Sequence, residues 1–146
     1  MASAELKSIA LKMVARKKGI LAADESTSTM TKRLDSINVE STEETRRQWR
    51  QLLFQTPDIG DYISGVIMYD ETIRQTDDSG QSFVDLLVSH DVISGIKVDN
   101  STHDLAGAPG EFITEGLDGL RGRLAEYYEL GSRFAKWRAL LIIGDG

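Results

Sequence analysis

Two cations stand inside an apolar run near the C-terminal end of the sequence. The run FAKWRALLII, residues 134–143, carries Lys136 and Arg138 among hydrophobic residues. Successive side chains of a β-strand alternate between its two faces, so Lys136 and Arg138 are expected on the same face. Residues 139–143 contain no polar side chain, which indicates a strand covered on both faces. The two cations then need a buried anionic partner.

The lysines are distributed unevenly along the chain. Of the seven lysines, only Lys97 and Lys136 lie beyond residue 32, and both fall in apolar, strand-like segments. A buried lysine is unfavourable unless it binds something. Two interpretations are open. The lysines pair with carboxylates at strand ends, such as Asp24, Asp70 or Asp99, in a structural network, or the cations bind an anionic ligand.

A cluster of this kind supports two types of chemistry. Lys97 and Arg138 can hold a phosphorylated or carboxylated ligand through charge-assisted hydrogen bonds. A crowded lysine loses its proton more easily, and its neutral amine can attack a carbonyl to form a Schiff base or transfer a proton. Asp24 is suited to orient a substrate hydroxyl or to accept its proton. These residues indicate a cationic pocket with carboxylates for an anionic sugar or acid, without identifying the ligand.

The elements that must position these residues alternate between helices and short apolar strands. The strand-like segments are GILAADES, YISGVIMYDET, ISGIKVDNS and FAKWRALL. Hydrophobic residues at helical spacing predict helices between these strands, including a short helix over TKRLDSI. The predicted helix boundaries are Gly19 as a C-cap, Ser41 with Glu44 as a capping box, Ser82 as an N-cap and Gly131 as a stop. This alternation predicts parallel strands, whose carboxyl ends collect binding and catalytic groups.

Composition narrows the function classes. The chain has 146 residues, enough for one compact core, and a net charge of −6 that argues against a nucleic-acid surface. The absence of cysteine excludes a disulfide framework and a thiolate metal site, and favours the cytoplasm. His90 and His103 lie far apart, so we expect surface or loop histidines and no metal site. No apolar run is long enough for a membrane span.

Four segments resemble class I fructose-1,6-bisphosphate aldolases in order and spacing. They are GILAADESTSTMTKRLDSINVESTEETRRQWRQLLF, YISGVIMYDETIRQT, GIKVD and GSRFAKWRALL. The resemblance covers nearly the whole chain. It implies that residues 1–146 are a partial class I aldolase domain of α/β class, namely the N-terminal half of a (β/α)8 TIM barrel with four parallel strands and intervening helices. The family reversibly cleaves fructose 1,6-bisphosphate to dihydroxyacetone phosphate and glyceraldehyde 3-phosphate through a lysine Schiff base, without metal or other cofactor.

The resemblance also implies roles for individual residues. Asp24 matches the catalytic aspartate of the first strand. Lys136 matches a lysine that assists carbinolamine and carbon-bond chemistry. The positions that match substrate-binding residues are Ser26, Thr29 and Lys97 around the 6-phosphate, together with Arg33, Arg46 and Arg138. A phosphorylated sugar is thus the expected ligand.

The largest departure from the family is length. A closed barrel needs eight strands and typically ~250 residues, whereas four strands are predicted here. In the family the Schiff-base lysine, an acid–base glutamate and the 1-phosphate loops come later than Gly146. We therefore expect an N-terminal fragment or partial gene product with little or no activity alone. Full-length relatives are commonly homotetramers. A smaller departure is Asn100, where a lysine is common.

Two alternatives remain at this level. A non-catalytic interaction or regulatory protein could use a half barrel to pair with itself or with a full-length aldolase, and it requires a defined complex. A small doubly wound phosphate-binding or receiver-like domain would also fit 146 residues and acids at strand ends. It requires an open sheet and no carbonyl-trapping lysine.

Overall fold

The computed structural model describes residues 2–143, which form seven helices and six strands. The helices are α1 (Ala2–Met13), α2 (Thr27–Asp35), α3 (Glu43–Phe54), α4 (Ile59–Tyr62), α5 (Asp70–Ile73), α6 (Phe83–Ser89) and α7 (Leu120–Glu129). The strands are β1 (Gly19–Ala23), β2 (Ile63–Met68), β3 (Ile93–Lys97), β4 (Thr102–Asp104), β5 (Phe112–Thr114) and β6 (Phe134–Lys136).

The main sheet has four parallel strands in the order β1-β2-β3-β6. Neighbours in the sheet follow one another along the chain, apart from the separate β4-β5 hairpin, and helices lie in the connections. A doubly wound sheet instead reverses its strand order at a switch point. The doubly wound alternative is therefore wrong for the described residues, and the predicted parallel β/α alternation is confirmed.

The core lies between this sheet and the helices that follow β1, β2 and β3. It contains Phe54 of α3, Val66 and Met68 of β2, and Phe83 and Leu87 of α6, all fully or almost fully buried. The Phe54 and Phe83 rings meet edge to face at 5.3 Å between centroids, an arrangement that aromatic pairs prefer. This packing fixes β2 and β3 and therefore the positions of the groups at their carboxyl ends.

Two glycines of the sheet accommodate the aromatic ring of Phe134. A Cβ placed on Gly95 would lie 2.3 Å from the Phe134 ring, and one on Gly65 would lie 3.2 Å from it. Gly95 and Phe134 are also register partners of β3 and β6. Because the two glycines have no side chains, Phe134 can pack in the space beside them. This packing holds β6 against β3.

Two predicted helix boundaries differ from those in the structure. Helix α1 ends at Met13, and Gly19 begins β1 because Lys17 already adopts a positive φ of 69° before it. The capping box at α3 is formed by Thr42 and Thr45 rather than by Ser41 and Glu44. In contrast, TKRLDSI does form a helix as α2, with bounds Thr27–Asp35.

Two predicted helix signals are confirmed. The Ser82 hydroxyl accepts a hydrogen bond from the Asp85 N–H at the start of α6. After α7, Gly131 has a positive φ of 99°, and the N–H groups of Gly131 and Ser132 bond back to the Tyr128 and Tyr127 carbonyls. This is the glycine-terminated helix end that the sequence predicts.

The prediction of a long, doubly covered C-terminal strand is wrong. Strand β6 ends at Lys136, and residues 139–143 lie outside the sheet with Leu141 82% and Ile143 87% exposed. The outer edge of β6 has no neighbouring strand among residues 2–143, so no ladder extends there. Strand β1 is the other edge and is largely exposed until Ala23.

The antiparallel β4-β5 hairpin was not predicted. It occupies the connection between β3 and α7 and pairs Thr102 with Thr114 and Asp104 with Phe112. Leu117 lies between the hairpin and α7 and is exposed. The hairpin therefore adds to the connection that precedes α7 and does not displace the predicted helix.

Candidate active site

A polar cleft of about 890 Å³ lies at the carboxyl ends of the main-sheet strands. Its charged lining residues are the carboxylates Asp24, Glu25, Asp70, Asp99 and Glu126 and the cations Arg74, Lys97, Arg123, Lys136 and Arg138. The lining is thus mixed in charge, with as many carboxylates as cations, where the sequence predicted a cationic pocket with carboxylates. The convergence itself follows from the parallel topology, which brings these strand ends to one side.

Lys136 and Asp24 form an ion pair across the cleft. The Lys136 ammonium donates to Asp24 Oδ2 at 2.7 Å, joining the last residue of β6 to the residue that follows β1. The Lys136 side chain is 30% exposed, whereas that of Asp24 is 11% exposed. The pair can therefore reach a ligand in the cleft while its carboxylate stays largely shielded from water.

Lys97 and Asp99 form a second pair beside the first. The Lys97 ammonium lies 2.8 Å from Asp99 Oδ1 and donates to the Asp99 carbonyl at 2.6 Å. Lys97 is also the register partner of Lys136, so the two ammonium groups extend from neighbouring strands. The Arg138 N–H donates to Asp99 Oδ2 at 3.3 Å.

The electrostatics of Asp99 follow from these contacts. Burial alone raises the pKa of the Asp99 carboxyl, but the hydrogen bond and charge of Lys97 outweigh it, with help from the Arg138 amide and the Lys136 charge. The net result is a pKa below the ordinary aspartate value. Asp99 is therefore held ionised, and it compensates the cations on this side of the cleft.

A cluster of side-chain hydroxyl groups forms a third part of the cleft lining. Ser26 Oγ lies 3.1 Å from Ser28 Oγ and 3.2 Å from Thr29 Oγ1 at the beginning of α2. The Ser26 side chain makes no capping hydrogen bond to the helix backbone. Hydroxyl and N–H groups at a helix N-terminus suit an anionic ligand.

The structure brings most, but not all, of the predicted site residues together. Asp24, Ser26, Thr29, Lys97, Lys136 and Arg138 line the cleft. Arg138 does so as an exposed residue beyond the end of β6, so it does not share a strand face with Lys136 as predicted.

Arg33 and Arg46 do not line the cleft. The Arg33 guanidinium pairs with Glu25 and is 53% exposed. Arg46 donates to both carboxylate oxygens of Glu71, at 2.8 and 2.6 Å. The hydrogen bond to Glu71 raises the pKa of Arg46 despite partial burial. Both arginines are occupied by protein carboxylates in this structure.

Sequence reasoning missed the wall of the cleft formed by α5 and α7. Tyr127 donates to Asp70 Oδ1 at 3.0 Å, and Arg74 joins Asp70 to Glu126 through contacts of 2.9 and 2.6 Å. Burial and then the Asp70 hydrogen bond raise the pKa of Tyr127. Asp70 was noted as a strand-end acid, but its partners are far along the chain, so no local spacing signals the network.

A buried arginine supports the loop that carries Asp24. The Arg50 guanidinium of α3 lies 2.7 Å from Glu25 Oε2 and donates to the Glu25 carbonyl at 3.0 Å. Its side chain is only 3% exposed, and burial lowers the pKa of Arg50. Glu25 directly follows Asp24, so this contact fixes the chain at the first catalytic candidate.

Residues 2–143 contain no group of three or more His, Asp or Glu side chains arranged to hold a metal ion. His90 caps the end of α6, and His103 lies on β4, 3.6 Å from Glu115. None of the helices described is both long and apolar enough to cross a membrane.

Comparison with known proteins places this chain in a family. The family model described as fructose-bisphosphate aldolase class-I matches residues 5–146. A probable fructose-bisphosphate aldolase class 1 of Xylella fastidiosa is 55% identical over 141 residues, covering 97% of this chain and 42% of that relative. The cytoplasmic isozyme of fructose-bisphosphate aldolase from Cicer arietinum is 58% identical over 127 residues, covering 87% of this chain and 35% of that relative.

A solved structure agrees with the sequence comparison. The fructose-bisphosphate aldolase of Plasmodium falciparum, determined in a ternary complex with TRAP and a small molecule inhibitor, is 47% identical and superimposes with a TM-score of 0.95. The match covers 97% of this chain and 41% of that chain. The predicted fold class, part of a (β/α)8 TIM barrel, is confirmed.

The protein described here has the parallel β/α architecture and the strand-end cleft of a barrel enzyme. It belongs to the class I fructose-bisphosphate aldolase family. The chain spans about 42% of the Xylella relative and 35% of the Cicer relative.

Proposed function

We propose that this chain contributes half of the active site of a class I fructose-bisphosphate aldolase, as a partial aldolase domain over residues 1–146. The reaction is the reversible cleavage of fructose 1,6-bisphosphate to dihydroxyacetone phosphate and glyceraldehyde 3-phosphate through a lysine Schiff base. The observation that carries the proposal is the 2.7 Å Lys136–Asp24 pair, set among cleft cations in a chain of this family.

Asp24 and Lys136 are proposed as the catalytic pair. The Asp24 carboxylate is positioned to accept the proton of a substrate hydroxyl, because its oxygen already accepts a hydrogen bond from within the cleft. The Lys136 ammonium can return a proton and stabilise negative charge that develops on a substrate oxygen. A bound substrate would intervene between the two groups, which makes their present contact a resting arrangement.

The remaining cleft groups are proposed to hold a phosphate. Lys97 and Arg138 supply charge, and the hydroxyl groups of Ser26 and Thr29 supply hydrogen bonds at the start of α2. The Lys97 side chain is 16% exposed and lines the cleft, so its ammonium group is accessible to a ligand there. Arg33 and Arg46 stay predictions from the family resemblance, since carboxylates of the protein occupy both.

We further propose a cytoplasmic location and a homo-oligomeric assembly. Relatives include proteins named cytoplasmic and cytosolic isozymes. The net charge of −6 argues against a nucleic-acid partner. The ligand proposed is a small phosphorylated sugar, on the family of the chain and the cations of the cleft.

A kinetic comparison tests the proposal in the complete protein that contains this sequence. Lys136→Met is expected to lower the rate of fructose 1,6-bisphosphate cleavage by about 10²–10⁴-fold, because it removes a proton-transfer group. Lys7→Met, at an exposed position of α1, is the matched control and is expected to leave the rate unchanged. No cleavage by the parent protein, or full activity of Lys136→Met, would contradict the proposal.

Trapping with borohydride locates the imine. In the family the Schiff-base lysine follows the segments matched here, so the isolated 146-residue polypeptide is expected to remain at 16.2 kDa after treatment with dihydroxyacetone phosphate and borohydride. An adduct on that polypeptide would place the imine on one of its own lysines, with Lys136 the first candidate. Ligand binding without cleavage by the complete protein would favour the non-catalytic alternative.

A further inference from the structure

Arg123 of α7 joins two segments beneath the cleft. Its Nη1 donates to the Val98 carbonyl at 3.0 Å, and its Nη2 donates to the Gly116 carbonyl. Arg123 is partly buried and also lines the cleft. Both hydrogen-bond acceptors are neutral, so these bonds fix backbone positions without cancelling the charge of the guanidinium.

The two segments fit each other closely at this point. The Asn100 N–H donates to the Glu115 carbonyl at 2.8 Å, and the Glu115 N–H donates to the Ser101 carbonyl at 3.1 Å. A Cβ on Gly116 would lie 2.9 Å from the Asn100 nitrogen and 3.0 Å from the Val98 oxygen. Gly116 also has a φ of +126°, a conformation that favours glycine. Arg123 thus closes a junction that leaves no space for a side chain.

The junction controls two of the cleft cations. Val98 lies between Lys97 and Asp99, and its N–H is bonded to the Lys136 carbonyl at 3.1 Å. Asp99 in turn contacts the Lys97 ammonium and the Arg138 N–H. Displacing the Val98 carbonyl would therefore move the carboxylate that orients Lys97 and the start of the segment that bears Arg138.

We infer that Arg123 is a positioning residue for the anion-binding side of the cleft, acting through the segment Lys97–Asp99. The inference rests on the proposed function for the identity of the anion, a sugar phosphate. It depends on the guanidinium fork, which reaches two carbonyl oxygens at once in a fixed geometry. A lysine ammonium keeps the charge but cannot reproduce that planar fork.

Three variants of the complete protein test this role. Arg123→Met removes both charge and fork, whereas Arg123→Lys removes only the fork. Arg121→Met, at an exposed position of the same helix, is the matched control. The measurements are kcat and KM for fructose 1,6-bisphosphate, the dissociation constant for inorganic phosphate by NMR titration, and the melting temperature.

Both Arg123 variants are expected to raise KM and the phosphate dissociation constant by about tenfold, the scale of one lost interaction of about 1.4 kcal/mol. The kcat is expected to change by less than about threefold, because Arg123 donates to the Val98 and Gly116 carbonyl groups and not to Asp24 or Lys136. Arg121→Met should match the parent protein. The failure of Arg123→Lys to rescue binding separates positioning from a simple contribution of charge.

Several results would overturn the inference. Normal phosphate binding by Arg123→Lys would assign Arg123 an electrostatic role, and a fall in kcat in proportion to the melting temperature would assign it a general structural role. The phosphate titration does not depend on turnover. A parent protein that binds phosphate without cleaving the sugar would defeat the proposed function, while the Arg123 comparison would still be decided by the titration.

Discussion

The loop after β1 and the loop after β3 present the two halves of the cleft, and each is held by an arginine from a helix. Arg50 holds the first loop through a carboxylate, Glu25, and its side chain is 3% exposed. Arg123 holds the second through two neutral carbonyl groups and is only partly buried. One arginine therefore supports the proposed catalytic pair by a buried ion pair, and another supports the proposed phosphate side by backbone hydrogen bonds.

This difference predicts different consequences when each support is lost. Removing one partner of a buried ion pair leaves the other charge without compensation, which costs far more than a surface contact. Removing a donor to a backbone carbonyl leaves a neutral group that water can reach if the site is partly open. The first loop should therefore respond mainly in stability, and the second mainly in ligand binding.

The largest expected effect is that of Arg50→Met. It should lower the free energy of unfolding by about 3–5 kcal/mol, because it removes the buried partner of the Glu25 carboxylate, which is 11% exposed and keeps only the half-exposed Arg33. Arg33→Met is the matched control, since Arg33 pairs with the same carboxylate but is 53% exposed, and it should cost less than about 1 kcal/mol. Urea unfolding measures both. Equal losses for the two variants would remove the distinction between the supports.

An intermediate effect is expected for Asp99→Asn, with a characteristic pH dependence. At pH 7 the loss of the bond to Lys97 should cost about 1.5–3 kcal/mol. The folded-state pKa of Asp99 lies below its unfolded value, so this contribution is complete above about pH 4 and is lost as the pH falls through the folded-state pKa. Stability curves of parent and variant should converge in acid. A constant difference between them down to pH 2 would contradict the assignment.

The smallest expected effect tests the close packing of the second loop. Gly116→Ala should cost about 2 kcal/mol, since it adds a contact at 2.9 Å to an unfavourable backbone conformation. Gly119 also has a positive φ, of 67°, but a Cβ added there would meet nothing within 4 Å. Gly119→Ala should therefore lower the free energy of unfolding by only about 1 kcal/mol. Thermal melting compares the two. A larger loss at Gly119 would show that packing at Gly116 is not limiting.

Local signals predicted much of the framework but little of the detailed electrostatics. The alternation of apolar strands and helices was correct because it depends on hydrophobic periodicity and caps, as at Ser82 and Gly131. Positions such as Lys97 and Lys136 were identified because a cation in an apolar strand is unusual. The extent of β6 was overestimated because hydrophobicity does not indicate whether a neighbouring strand is present.

Arg33 and Arg46 show why a family resemblance does not settle a site. The sequence places both near the cleft-forming segments, but Glu25 and Glu71 take up their guanidinium groups. Arg123 and Tyr127 show the reverse case. They lie in an ordinary helical pattern that gives no sign of a site, yet both line the cleft. Which side of a helix faces a site depends on how the helix packs, and its sequence spacing gives only the periodicity.

The sequence by itself determined that cations and carboxylates would meet at the carboxyl ends of parallel strands, because parallel strands align those ends whatever the details of packing. Tertiary structure alone decided the partners. Lys136 meets Asp24 across 112 positions of the chain, and Lys97 turns instead to Asp99 on its own segment. Ion pairs form over a few ångströms, and such distances are set only when the register and packing of β1, β3 and β6 are fixed.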